Sequence, residues 1–358
     1  MSTTIRSKLK KLGEGSFGCV VSHPLRCSEK EEVITKKNRD ASNQVGKLFY
    51  DKRDYKGEVR LSKLVRKIDP SETKLLVPTS ACAVSKRTME KPENVNAIMR
   101  CEKITNKGSE YQYYSNTDRS TIPNKVWQIK MPYAGSDIDK AIEKYKNGIS
   151  VKSFLKMLVP LFEALVLLKN SKMVHQDIKI SNVLVYNRKA CLIDFSLMLP
   201  FKDIYTRNNY YRLKRKYRPF PPEYHLASLV MKYEGEIRGK KYTLDTITMD
   251  LLDKYKHHLD KLSHYYEPFY TSKEVINIAG HDTLLPMIIK SMDSMQQFAD
   301  KIDIYSVGTL MAEISSLYIN QPLKDKKYVE FVCGILHPDP RLRTSPEDAL
   351  EQCKILSQ

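Results

Sequence analysis

Four side chains in two neighbouring stretches could carry chemistry. His175-Gln176-Asp177-Ile178-Lys179-Ile180-Ser181-Asn182 places a candidate catalytic carboxylate, Asp177, on one loop with a lysine, Lys179, and an amide, Asn182. After a strand-like run, Asp194-Phe195-Ser196 adds a second carboxylate of the kind a divalent cation takes as ligand. A third stretch, Gly13-Glu14-Gly15-Ser16-Phe17-Gly18, leaves space for phosphates to approach backbone N–H groups, because glycine has no Cβ in the way. These are the parts that phosphoryl transfer asks for, since that reaction needs little beyond positioning and charge neutralisation.

The glycine-rich stretch alone is a weak signal, as three kinds of loop share it. A Walker loop would end in Gly-Lys-Ser/Thr, but Gly18 is followed by Cys19-Val20. A dinucleotide-binding fold would start a helix there, yet Cys19-Val20-Val21-Ser22-His23-Pro24 is rich in β-branched residues and reaches a proline. A strand–loop–strand hairpin covering phosphates remains, with Phe17 at its tip to shield them from water.

The elements that must position these residues fall into two regions. Residues 9–21 and 32–37 read as short strands, 45–68 shows helical spacing, and 75–130 mixes strand-like pieces (Leu75–Val77, Ala97–Met99, Val126–Met131) with polar loop. Composition breaks at Met131-Pro132-Tyr133-Ala134-Gly135. Beyond it, Val151–Leu168 is a strongly apolar helix, Val183–Val185 and Ala190–Ile193 are short strands, and most of the rest is helical. No internal repeat is visible.

With 358 residues, 41% hydrophobic and 28% charged, the chain can bury two cores. No apolar run reaches membrane-spanning length. Met1–Arg6 lacks the apolar stretch of a secretory signal, and Ser2 stands where myristoylation requires glycine. Seven scattered cysteines without a C-x-x-C pair predict free thiols in a reducing compartment, with Cys19 placed to meet an electrophile. A net charge of +18 predicts attraction to polyanions.

In their order and spacing, the three stretches resemble the protein-kinase signature, and the resemblance runs over about residues 9 to 350. It implies an α+β, two-lobed fold: a small antiparallel β lobe with one main helix over 1–131, a hinge at 132–137, and a larger, mostly helical lobe over 138–358 with a helical insert at about 224–300. By this likeness Asp177 accepts or orients the substrate hydroxyl proton, Lys179 neutralises the transferred phosphoryl group, and Asn182 and Asp194 hold magnesium or manganese against ATP. The nucleotide is expected to meet Leu12, Gly13, Glu14, Gly15, Ser16, Phe17 and Gly18. Val20, Ile34 and Leu184 would enclose the adenine. Val33-Ile34-Thr35-Lys36 stands where the phosphate-binding lysine is expected, which nominates Lys36, with Lys37 as the alternative. Glu58 is its expected tether, better placed on the helix than Asp51 or Asp54. Met131 would be the gatekeeper, the backbone around Tyr133 and Ala134 would meet the base, and Asp137 the ribose; Ala-Gly-Ser-Asp is also a good turn and helix cap. Pro221-Pro222-Glu223, Asp303 and Arg343 match later landmarks, with Arg343 as buried partner of Glu223.

Lysine two residues after Asp177 is the serine/threonine form. Gln176 stands where the family has arginine, so phosphorylation of the activation loop is not the expected on-switch; Ser196 replaces a glycine and should restrict movement of Asp194. No threonine occupies the usual substrate-contacting place ahead of Pro221. The double proline, the insert (Thr246–Leu262 and Leu284–Phe298 read as helical) and the divergent small lobe look like kinases of large DNA viruses, which would put the protein in host cytoplasm or virion. Lys202 to Arg218 interleaves Lys202, Arg207, Arg212, Lys214, Arg215, Lys216 and Arg218 with four tyrosines, predicting acidic protein substrates or a polyanionic or nucleic-acid regulator. The expectation is a monomeric, intracellular serine/threonine kinase; the rivals are a pseudokinase and a polyanion-binding scaffold on the same fold.

Overall fold

The computed structural model describes residues 8–15, 18–35, 43–105, 121–145, 148–206, 219–227, 269, 293–319 and 322–358. The chain divides into two compact units, Met1–Ala134 and Gly135–Gln358.

The first unit is built on an antiparallel sheet of six strands: β1 (Lys11–Glu14), β2 (Cys19–Val21), β3 (Glu32–Val33), β4 (Gln44–Phe49), β5 (Ser80–Ser85) and β6 (Lys125–Pro132). Their order across the sheet is β1-β2-β4-β6-β5-β3. Side chains alternate between its faces. Cys19, Val21 and Leu48 are buried in one cluster with Ile98, Cys101 and Ile104, which come from α3 (Val95–Met99), α4 (Glu102–Thr105) and the turn between them; α2 (Lys86–Met89) adds Met89. Helix α1 (Lys52–Ile68) buries Tyr55, Glu58, Val59, Ser62, Val65 and Ile68 at helical spacing, and the Asp51 carboxylate caps its N-terminus by accepting from the Arg53 N–H at 2.6 Å.

Three sequence expectations change here. Residues 45–68 are not one helix: 44–49 is strand β4, paired along its length with β6, and the helix begins only after the Asp51 cap. The apolar positions Val45, Leu48 and Phe49 suit either period, and the sheet decides. Ala97–Met99 is helical, and 75–77 runs as an irregular buried segment. Four of the seven cysteines are not free thiols, for Cys19 is bonded to Cys101 and Cys27 to Cys82. The partners lie 82 and 55 residues apart in sequence, so no local spacing announced them; the sheet brings each Cα pair to 5.8 Å. Cys191, Cys333 and Cys353 remain as thiols outside these two disulfides.

The second unit contains α6 (Val151–Asn170), whose buried face carries Phe154, Leu155, Leu158, Leu161, Phe162, Leu165 and Leu168. Its first turn is capped by Ser150. Around it lie β7 (Ser136–Asp137), α5 (Ile138–Glu143), β8 (Met173–Val174), the hairpin β9 (Val183–Tyr186) and β10 (Lys189–Leu192), β11 (Leu199–Pro200) and α7 (Phe201–Ile204). The C-terminal helices are α8 (Lys301–Tyr318), α9 (Lys326–Ile335) and α10 (Pro346–Leu356). Residues 246–262, read as helical from the sequence, lie outside the described residues, as does 284–292; Asp293–Phe298 is a short 3-10 helix. Among the described residues no helix is long and apolar enough to cross a membrane.

Candidate active site

In the first unit, β1 and β2 form the expected hairpin, and the Gly15 N–H donates to the Gly18 carbonyl at 2.9 Å to close its turn. A Cβ on Gly18 would fall 2.1 Å from the Leu48 oxygen, so packing against β4 requires glycine there. Gly13 and Gly15 face open space, so nothing among the described residues demands glycine at either position. Ser16 and Phe17 lie outside the described residues. Leu12 is exposed, and Glu14 is engaged by Lys11 at 2.5 Å and by the Lys103 N–H at 2.6 Å. Burial works to raise the Glu14 pKa, but these two partners outweigh it and hold the carboxyl below its usual value.

Beside the hairpin, register pairs Val20 with Lys47. Lys47 Nζ donates to Glu58 Oε1 at 3.2 Å, and both side chains are nearly buried. The lysine beside Glu58 is therefore Lys47. Lys36 and Lys37 lie outside the described residues. Ile34, expected beside the adenine, follows β3 at the far edge of the sheet, with β4, β6 and β5 between that edge and the hairpin. Its N–H donates to Thr79 O and its carbonyl accepts from Arg66, so it belongs to that edge and not to the hairpin strands. The sequence reading placed neither Lys47 nor Val45, two positions away on the same strand face, beside the hairpin. The signal was present as a strand pattern at 44–49, masked by its compatibility with a helix running into α1. Met131 and Ala134 are buried, and the Tyr133 N–H is already committed to Asn43 O at 2.9 Å.

The second unit gathers the other candidates. Asp177 is 5% exposed. Its carboxylate accepts from Lys179 Nζ at 3.0 Å and from Asn182 Nδ2 at 2.7 Å, and Asn182 Nδ2 also reaches the Asp177 carbonyl at 2.8 Å. The side chains separated by two and five positions in sequence thus converge on one carboxylate. Asp303, in the first turn of α8, accepts the His175 N–H at 2.7 Å and the Gln176 N–H at 3.0 Å, fixing the loop backbone. Burial pushes the Asp303 carboxyl up, a rise that His175 and these two N–H groups only partly offset.

His175 joins this loop to the next. Its Nδ1 accepts from the Asp177 N–H at 3.2 Å, so Nε2 carries the ring proton and donates to Ile193 O at 3.1 Å. Its ring meets Phe195 edge-on. Asp194 has φ +62°, in the left-handed region, and its carboxylate accepts from the Ser196 N–H at 3.4 Å. Leu184 lies on β9 opposite Asp137, whose carboxylate is bonded to Lys140 at 2.7 Å. Gly135 has φ +88°, and a Cβ there would strike the Val185 carbonyl, so only glycine admits this approach to β9. Of the basic stretch, 207–218 lies outside the described residues.

Further from the loop, Arg343 and Glu223 form a fully buried, two-pronged ion pair at 2.7 and 2.9 Å, the partnership expected from sequence.

No curated protein matches the chain. Residues 79–233 match the family described as protein tyrosine and serine/threonine kinase. The matched span takes in His175–Asn182, Asp194 and Glu223, and leaves the glycine hairpin, Lys47 and Glu58 outside it. Its breadth separates neither tyrosine from serine/threonine kinases nor viral from other kinases, so the narrower viral likeness gains no support. The matched span is 155 of the 358 residues, and over that span the chain is similar to this family.

Proposed function

We propose that this chain transfers the γ-phosphoryl group of ATP to serine or threonine hydroxyls of proteins. The observation that carries the reading is Asp177, a buried carboxylate held by Lys179 and Asn182 on a loop whose backbone is bound by Asp303. As the substrate oxygen bonds to the γ-phosphorus, the bond to the β–γ bridging oxygen breaks and ADP leaves. The hydroxyl proton passes to Asp177, and Lys179 offsets charge on the transferred group. Lys47, tethered by Glu58, takes the role first given to Lys36 and holds the α- and β-phosphates. Gly13 and Gly15 leave room for those phosphates, and Val20 and Val45 are apolar side chains beside Lys47 on the paired strands β2 and β4.

Asn182 and Asp194 would hold magnesium, or manganese. Asn182 directs its amide nitrogen at Asp177, which leaves its oxygen for a hard cation, and Asp194 supplies carboxylate oxygen. A cation there neutralises phosphate charge. Serine/threonine preference rests on Lys179, and acidic substrates on the net charge of +18.

The test is transfer from radiolabelled ATP to casein, to a basic protein and to the chain itself, comparing wild type with Asp177→Asn. Transfer by wild type, abolished in the variant while ATP still binds, is expected. No transfer by freshly purified wild type with either metal would reject the enzyme reading in favour of a pseudokinase, and phosphotyrosine as sole product would reject the hydroxyl specificity.

A further inference from the structure

Gln176 occupies a place that the reaction scheme leaves without a task. The residue is 1% exposed and has φ +65°, a strained conformation for a side chain of this kind, held by its N–H bond to Asp303. Both ends of its amide are engaged. Nε2 donates to the Leu197 carbonyl at 2.6 Å, and Oε1 accepts from the Tyr224 hydroxyl at 2.6 Å. Leu197 follows Asp194-Phe195-Ser196 directly, and Tyr224 follows Pro221-Pro222-Glu223 directly. One neutral side chain on the catalytic loop therefore touches both ends of the segment that runs from the metal-binding candidate to the buried ion pair.

Each end has a second fastening. Leu199 and Pro200 pair with Val174 and Met173, immediately before His175, and the Met198 N–H donates to Phe195 O. At the other end, Ser306 donates to Pro219 O at 2.7 Å, Glu223 is locked to Arg343, and the Tyr224 ring packs against Tyr205 and Phe220. The amide closes a bridge between two anchored points, its nitrogen donating to one and its oxygen accepting from the other.

We propose that Gln176 is a positioning residue that holds the two ends of segment 194–224 to the catalytic loop without a phosphate, so that turnover does not wait for phosphorylation of that segment. The proposal rests on the kinase reading above. A cationic side chain at this position would need an anion to face; glutamine supplies the donor and the acceptor that Leu197 and Tyr224 already require. Losing one partner of a buried hydrogen bond leaves the other unsatisfied, and expressed in the active arrangement that corresponds to a fall in rate of roughly 5- to 100-fold.

The test uses the full chain. Wild type is treated with a broad-specificity phosphatase, the phosphatase is removed, and the initial rate is measured before autophosphorylation accumulates. Gln176→Leu and Tyr224→Phe are assayed in parallel for kcat, KM for ATP and ATP binding, with circular dichroism reporting folding. The expected result is a dephosphorylated wild type within about two-fold of its untreated rate. Both variants should lose kcat by about ten-fold while ATP binding changes less than about two-fold, a split that general unfolding would not give. Tyr224→Phe keeps the ring packing, so it remains informative if Gln176→Leu does not fold. In the double variant the loss should be smaller than the product of the single losses, because the amide and hydroxyl share one bond. A ten-fold drop on phosphatase treatment, or a folded Tyr224→Phe with wild-type kcat, overturns the proposal. A wild type that transfers no phosphate overturns the kinase reading instead.

Discussion

The Arg343–Glu223 pair allows the frame of the second unit to be tested by number. Neither side chain has solvent exposure. Besides its two bonds to Glu223, the guanidinium donates from Nε to His337 O at 2.8 Å, from Nη1 to Lys301 O at 3.0 Å and from Nη2 to Pro338 O at 3.2 Å, which uses all five of its N–H groups. It also lies over the Tyr305 ring, 4.8 Å from the centroid. Burial by itself would lower the pKa of Arg343, but Glu223 outweighs burial and raises it, so the charge persists.

Replacing Arg343 with methionine leaves Glu223 buried without its countercharge, a loss of about 3–5 kcal/mol. For a unit the size of Gly135–Gln358, each kcal/mol moves Tm by about 2–4 °C, so a fall of roughly 6–20 °C is expected. Glu223→Gln retains one acceptor and three backbone carbonyls for the guanidinium, and should cost less. The combination Glu223→Gln with Arg343→Met removes both charges but strands three carbonyls at about 1 kcal/mol each. Its cost should undershoot the sum of the single losses by at least about 2 kcal/mol. Urea unfolding followed by far-ultraviolet circular dichroism measures all four proteins. A coupling below about 1 kcal/mol, or an Arg343→Met loss below that figure, would refute the idea that a desolvated charge pair anchors this end of the segment.

Three further outcomes are expected. Lys47→Met should lower kcat/KM for ATP by at least about 100-fold, since it removes the phosphate cation tethered by Glu58; a loss under ten-fold would return the role to Lys36 or Lys37. Closing the span between Cys19 and Cys101 removes loop entropy worth up to about 4.5 kcal/mol, and the Cys27–Cys82 loop is nested within it, so the two contributions do not add. Reductant should therefore lower the urea midpoint of wild type and leave that of Cys19→Ser/Cys101→Ser less affected, and alkylation of the denatured, unreduced protein should mark only the three free thiols; seven marked thiols would contradict both bonds. Asp69 is desolvated, which raises its pKa, yet the N–H groups of Leu75 and Lys74 and the hydroxyl of Ser71 overcome this and hold it below 3.8. Its folded pKa lies below its unfolded one, so its contribution is present above about pH 4 and fades as pH falls through the folded value. Asp69→Asn should lose about 1–3 kcal/mol at pH 7 and show a shallower decline in stability on acidification, measured as urea midpoints from pH 7 to pH 2.

The convergence of side chains on Asp177 in the second unit was legible because it depends on short sequence separations. Asp177, Lys179 and Asn182 sit on one loop, and a loop of that length can aim three side chains at one point with few long-range decisions. Arg343 and Glu223 are distant in sequence, yet each lies in a recognisable local pattern. The disulfides had no such pattern: Cys19 meets Cys101 only because β2 and the α3–α4 turn bury their side chains on the same face. Gln176 looked like a lost arginine, and only the placement of Leu197 and Tyr224 turns it into a bridge.

The pairing of Glu58 with Lys47 was missed for a different physical reason. The expected lysine belongs to the strand third from the edge of the sheet, and counting strands along the chain finds β3, the third in sequence. Residues 22–43 intervene between the hairpin and β4, and part of that stretch adds β3 to the opposite edge, so sequence order and sheet order part company there. The family match begins only at Thr79, after this rearrangement. What identifies the lysine independently of the count is the buried carboxylate. Glu58 on α1 is 9% exposed, and a carboxylate at that depth calls for a cation on the strand beneath it. The kinase likeness asks for a helical glutamate and the helical pattern points to Glu58; its partner lies on β4, where Lys47 alternates with the buried Gly46 and Leu48.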